Sequence, residues 1–345
     1  MTPMILFAIV FVSITDVVRG FVSQAALKSA YSSSTSTLPA LASPSTEESI
    51  VEKCYKAWNQ RKMNDAANFF APNFTYDDGQ YLGSITKKSD LEKLFQRWAD
   101  ALPSNASLVI EKIAKCSKTG NIGTQWHVEQ NGLTIPYTSG CSFYTIDEES
   151  GLIKTGFKVS EMIVKPSKQF SDVLVNSASN MIQKSENMNH KISTETTTEK
   201  TLDDKESSII ESYFTAWNNR DLDAALDCFV EDCTYQTEDP VFVDTFYGKD
   251  ALREHLERNA AALPSGCDII LDDLAIDSIN DTSGVRWHLE VNGVSIPNLR
   301  GCSMYTTENR LLKSGFDVTE APIKLPAFVQ DLTIPLARFV LGSGN

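Results

Sequence analysis

The sequence has few of the features that announce a chemistry. Histidine occurs only 4 times in 345 residues. Four scattered imidazoles leave no paired ligands at zinc-site spacing, so no metal or other cofactor is expected. The 7 cysteines include no CxxC pair and are odd in number, which excludes a disulfide framework or a zinc ribbon. No glycine-rich phosphate loop occurs. Positive charge is in deficit, with 31 Lys plus Arg against 45 Asp plus Glu and a formal charge of −14. Nucleic-acid binding depends on clustered cations, so a nucleic-acid partner is not expected. Beyond the extreme N-terminus there is no apolar run long enough to span a bilayer, so an integral membrane segment is not expected in the mature chain. What is present is an ordinary composition, 42% hydrophobic and 22% charged, on a chain about long enough for two domains.

The N-terminus reads as an address. Met4 to Val12 form a short apolar core, and Val18-Arg19-Gly20 suits a cleavage site, giving a signal peptide over residues 1–20. Residues 21–46 contain no acidic side chain and are dominated by Ser, Thr and Ala. That composition is transit-peptide-like. With Phe21 at the new N-terminus, the segment resembles the bipartite presequence of algae with complex plastids. The resemblance implies a plastid reached through the secretory route. Secretion with a disordered spacer is the alternative, and Asn73, Asn105 and Asn280 sit in glycosylation triplets.

The rest of the chain is one pattern written twice. Ala57-Trp58-Asn59 returns as Ala216-Trp217-Asn218, and Thr75-Tyr76 as Thr234-Tyr235. Trp126-His127-x-Glu129-x-Asn131-Gly132 returns as Trp287-His288-x-Glu290-x-Asn292-Gly293. Gly140-Cys141-Ser142-x-Tyr144 returns as Gly301-Cys302-Ser303-x-Tyr305, and Gly156-Phe157 as Gly315-Phe316. Counterparts stand 159 residues apart at the ends and 161 in the middle. So long a period means tandem globular domains, with domain 1 over residues 47–183 and domain 2 over 207–345. Each carries a C-terminal extension, marked by Phe170-Ser171-Asp172 and Phe328-Val329-Gln330-Asp331. Residues 184–206 are nearly devoid of apolar side chains and read as a disordered linker.

Helical spacing of apolar residues predicts helices over 49–59 and 207–218, over 221–229, and over 90–101 and 249–262. After these the period becomes two, with Asn-Gly hairpin turns and further strands around 301–306 and 311–318. The expectation is an α+β fold in which about three helices pack on one curved antiparallel sheet in each domain.

These helices and the WHxExNG and GCSxY strands resemble the NTF2-like superfamily, its SnoaL-like branch, and the plastid NTF2-like proteins of plants and algae. The resemblance covers residues 47–166 and 206–325. It implies two tandem cone domains, each enclosing a pocket lined by Trp58, Tyr76, Ser142 and Tyr144, or by Trp217, Tyr235, Ser303 and Tyr305. It also implies pairing through the sheets, as an intrachain pseudo-dimer or a homo-oligomer. Members include isomerases, cyclases, dehydratases and non-catalytic binders, so the fold does not fix function.

Alternation places His127 with Glu129, and His288 with Glu290, on one strand face, opposite Trp126 and Trp287. Two readings stand. The pairs are acid–base residues of an isomerase, cyclase or dehydratase acting on a pigment, lipid or polyketide-like substrate. Or they serve an interface or a solvated face, and the chain is a non-catalytic module for a small apolar or amphipathic ligand. Incomplete catalytic sets favour the second: Tyr213 faces Cys54 across the repeat, and Asp78 faces Thr237. Cys141 and Cys302 read as buried structural residues.

Overall fold

The computed structural model describes residues 48–135, 138–161, 208–238, 243–263 and 266–320. The presequence to residue 46, the linker 184–206 and both C-terminal extensions lie outside the described residues. From Ser49 onward, the described residues of both halves of the repeat fall within a single compact unit.

The first half begins with α1 (Ile50–Asn59). Ser49 and Glu52 close a capping box at its start, satisfying amide groups that the first turn leaves unpaired. Next come α2 (Met63–Asn68), β1 (Phe70–Asp78), α3 (Lys88–Ala101), β2 (Ala106–Lys115), β3 (Ile122–Gln130), β4 (Leu133–Thr134), β5 (Gly140–Ile146) and β6 (Ile153–Ser160). The second half repeats the order with α4 (Ile209–Asn218), α5 (Leu222–Asp227), β7 (Phe229–Glu238), β8 (Val243–Tyr247), α6 (Gly248–Ala262), β9 (Cys267–Asp277), β10 (Thr282–Val291), β11 (Val294–Glu308) and β12 (Leu311–Thr319). Ser208 and Glu211 repeat the capping box.

Each half is α+β with three helices on one sheet, as the pattern of periods implies. Two details differ from the sequence expectation. The sheets are not wholly antiparallel, because β1 runs parallel to β6 and β7 parallel to β12. The first strand of each half lies against the last, and the several elements between them supply the long crossover that a parallel pair needs. The second difference is that the helix over 221–229 stops at Asp227, and Phe229 already opens β7. The hairpin turns are as expected. Asn131 and Asn292 take φ 53 and 52, and the following glycines 76 and 75, the left-handed pair that favours Asn-Gly.

Strand alternation divides each sheet into two faces. The inner face carries Ile122, Trp126, Val128 and Tyr144 in the first half, and Val285, Trp287, Leu289 and Tyr305 in the second. These residues pack under the helices in two separate cores. The outer faces share a third core, built from Ala114, Cys141, Phe143, Phe157 and Val159 of one half and Ala275, Cys302, Met304, Phe316 and Val318 of the other. The two sheets therefore lie back to back. Polar groups stitch the rim of this contact: Thr282 Oγ1 donates to the Ile113 carbonyl (2.8 Å), Lys112 Nζ to Ser314 Oγ (3.0 Å), and Arg300 Nη1 to Asp77 Oδ2 (3.0 Å).

At the centre the backbones nearly touch. A Cβ at Gly123 would stand 2.7 Å from Gly284 Cα, and the converse distance is the same. The nearest neighbour in each case is backbone, which cannot swing aside as the end of a side chain could. Gly123→Val is expected to lower unfolding stability in urea by about 1–3 kcal/mol, with Gly284→Val doing the same from the other side.

Candidate functional site

The inner face of each sheet carries one polar row at matching positions. In the first half it runs Asp78, Lys158, Ser142, Thr124 across β1, β6, β5 and β3. In the second it runs Thr237, Asp317, Ser303, Val285 across β7, β12, β11 and β10. Only the serine is common. Its role is structural in both halves, since Trp126 Nε1 donates to Ser142 Oγ (2.9 Å) and Trp287 Nε1 to Ser303 Oγ (2.8 Å).

In the first half the interior centres on a buried ion pair. Lys158 Nζ stands 3.6 Å from Asp78 Oδ2, 3.6 Å from the Trp98 ring centroid and 5.2 Å from that of Trp126. Burial lowers the Lys158 pKa, while Asp78 opposes the shift. Beside the pair, the Tyr55 hydroxyl lies within reach of Tyr144 (3.1 Å), Thr124 (3.3 Å) and Ser142 (3.4 Å). Burial pushes Tyr55 up to about 12, so it remains a neutral hydroxyl.

In the second half a carboxylate replaces the amine. Asp317 accepts hydrogen bonds from the Tyr235 and Tyr305 hydroxyls, the latter at 3.2 Å. Burial among the rings raises its pKa, and the hydroxyls of Ser303, Tyr235 and Tyr305 pull the other way. Asp317 keeps partial solvent exposure, whereas Tyr305 and Tyr235 are buried. Such a carboxyl can donate a hydrogen bond when protonated and accept protons when ionised.

His255, on α6, closes this interior. Its ring stacks on Phe246 at 4.3 Å and lies 5.8 Å from Tyr235. Nε2 is bonded to Asn259 (3.0 Å), while Nδ1 is buried without a hydrogen-bond partner. Leu94 stands at the matching place in the first half and is part of its core.

The expected pocket residues Tyr76, Tyr144, Tyr235 and Tyr305 all face these interiors. Trp58 and Trp217 belong to the same cores, but as packing residues. Their indole N–H groups are buried without acceptors, and the Arg61 and Arg220 guanidinium groups lie over their rings at 4.9 and 5.3 Å.

The four expected acid–base residues are placed elsewhere. His127, Glu129, His288 and Glu290 lie on the outer faces, because Trp126 and Trp287 next to them point inward. His127 is held between Glu111 (2.5 Å) and Glu129 (2.8 Å), and His288 between Asp272 (2.8 Å) and Glu290 (3.0 Å). Both nitrogens of each ring are engaged. His–Glu acid–base chemistry inside the cones is thereby corrected: these residues tie neighbouring strands together on the far side of the sheet. Among the described residues no cluster of His, Cys, Asp or Glu could hold a metal ion, and no helix is long and apolar enough to cross a membrane.

Sequence reading missed Lys158, Asp317, Tyr55 and His255. Alternation against the outward Phe157 and Phe316 would have turned Lys158 and Asp317 inward. His255 carried no such signal, since the rings it packs on come from β7 and β8.

Residues 210–314, within the second half, match the family described as a SnoaL-like domain. No curated protein matches the chain. Solved structures similar to it include an NTF2-like protein of unknown function from Cytophaga hutchinsonii (12% identity, covering 33% of this chain and 92% of that one, TM-score 0.26). Another is a protein with a ketosteroid isomerase-like fold from Catenulispora acidiphila in complex with trimethylamine (16%, 33% and 85%, TM-score 0.27). A third is the epoxide hydrolase/cyclase-like enzyme SalBIII of salinomycin pyran-ring formation (23%, 32% and 87%, TM-score 0.27).

Burial and the neighbouring Arg258 hold the His255 pKa at about 4. The unfolded chain gains its proton near pH 6.5, so stability from the neutral ring is present above that pH and fades as pH falls toward 4. His255→Leu, the residue of the other half, is expected to remove about 3 kcal/mol of acid sensitivity in this window. Urea midpoints at pH 7 and pH 4.5 for both chains check it.

Proposed function

We propose that the protein binds small amphipathic molecules in two chemically different cones, with Lys158 and Asp317 as their polar anchors. One observation carries the reading. At equivalent points of the last strand, facing an aromatic interior, one half holds a buried amine and the other a carboxyl. A fold that needed only to pack would fill both places with apolar residues, because each charge costs desolvation. The presequence adds the plastid as the site of action, with the two halves acting as a tandem NTF2-like pseudo-dimer.

A second reading is favoured by the surroundings of Asp317. A carboxyl of raised pKa beside the Tyr235, Tyr305 and Ser303 hydroxyls is equipped to move a proton on a bound substrate. That would suit an isomerase, cyclase or dehydratase, with chemistry confined to the second cone.

Native mass spectrometry of the purified chain, with identification of the released small molecules, separates these readings. Asp317→Asn is expected to lose the ligand of the second cone and keep that of the first. His127→Ala with His288→Ala is expected to keep both. A ligand converted to product by the parent chain and left unchanged by Asp317→Asn would establish the catalytic reading. Absence of any retained ligand, at every lipid and pigment extract offered, would refute binding.

A further inference from the structure

The first cone contains an amine placed for more than ion pairing. Lys158 is nearly buried, with 11% of its side chain exposed, and its polar neighbour among the described residues is Asp78. At 3.6 Å the two are too far apart for a good hydrogen bond. Asp78 Oδ1 accepts from the Gln80 amide (2.9 Å), but Oδ2 is buried and accepts no hydrogen bond. The Trp98 and Trp126 rings stand beside the nitrogen. A nearly buried amine and a carboxylate oxygen without a hydrogen bond thus meet side by side near aromatic rings, and a small part of the lysine side chain reaches solvent.

We propose that Lys158 captures an apolar aldehyde or ketone as a protonated imine on Nζ, with Asp78 as proton carrier and counter-ion. The proposal rests on the reading of the cones as ligand-binding sites and names the ligand class of the first. An anionic ligand is disfavoured there, since it would crowd the Asp78 carboxylate. A neutral carbonyl meets no such repulsion, and the imine nitrogen keeps its positive charge, so the ion pair survives the reaction.

The steps balance without any oxidant or reductant. The ammonium passes a proton to Asp78, and the freed nitrogen lone pair attacks the carbonyl carbon. The carbonyl π pair moves to oxygen, which takes the proton from Asp78. The nitrogen then releases a second proton through Asp78 to that oxygen, the C–O bond breaks, and water leaves as C=N forms. One ammonium and one aldehyde give one protonated imine and one water. Burial, by lowering the pKa of the amine, increases the share able to attack. The indole faces stabilise the cationic nitrogen and accept a flat, conjugated ligand against them.

The test uses the full chain, 4-isopropylbenzaldehyde and sodium borohydride, which reduces the imine to a stable amine. Peptide mass spectrometry reads the labelled lysines. Lys158 is expected to be labelled several-fold above the mean of the exposed lysines, because burial between the indole rings leaves more of its amine unprotonated. Lys158→Arg should abolish that label, and the parent chain should bind 4-isopropylbenzyl alcohol, read by quenching of tryptophan fluorescence. Asp78→Asn should slow trapping several-fold. Labelling of Lys158 no greater than that of surface lysines, with the alcohol still bound, would overturn the imine and leave ligand binding intact. If neither aldehyde nor alcohol changes the fluorescence, ligand binding in the first cone fails as well.

Discussion

The back-to-back contact of the two sheets is the constraint on which the rest of the structure depends. A strand has two faces, and burying one of them on a second sheet fixes what the other can be. The Gly123–Gly284 approach brings the backbones so close that register across the contact has little freedom. Around it the outer faces are held to small or well-fitting apolar residues, among them Ala114, Cys141 and their counterparts Ala275 and Cys302. Toward the edges the same faces carry charge, and His127 and His288 clamp adjacent strands through carboxylates on both sides. Every residue repeated in the WHxExNG block thus has a place in this scaffold.

The inner faces are released from that duty, and there the halves have parted. Lys158 is answered by Asp317, Asp78 by Thr237, and Leu94 by His255. Even the tyrosine hydroxyl near the helix has moved by one residue, from Tyr55 in the first half to Tyr213 in the second, with Cys54 and Phe214 taking the vacated places. The packing volume stays similar, while the position and sign of the polar groups change. Repetition in sequence marks what holds the molecule together, and divergence marks the two interiors.

Much of the fold was legible in the sequence, because periodicity and turn chemistry are local. Asn131-Gly132 and Asn292-Gly293 specify their turns within two residues, and alternation around Trp126 and Trp287 separates the two faces. The parallel pairing of first and last strands was not legible, since it depends on where a distant strand docks. The site was read less well for a related reason. Matching residues drew attention to His127 and His288, whose repetition reflects the shared scaffold. Lys158 and Asp317 differ between the halves and so resembled ordinary solvated charges. Their meaning depends on neighbours supplied by other elements: Trp98 from α3, Asp78 from β1, and Tyr235 from β7.

The sheet contact also changes how this molecule responds to dilution. Two separate chains joined by the same faces would part as their concentration fell, and their cones would be identical by symmetry. Joined in one polypeptide, the halves meet at an effective concentration set by the chain between them, which no dilution alters. The contact centred on Gly123 and Gly284 is therefore independent of abundance. It holds an amine cone and an acid cone in a fixed one-to-one ratio within each molecule.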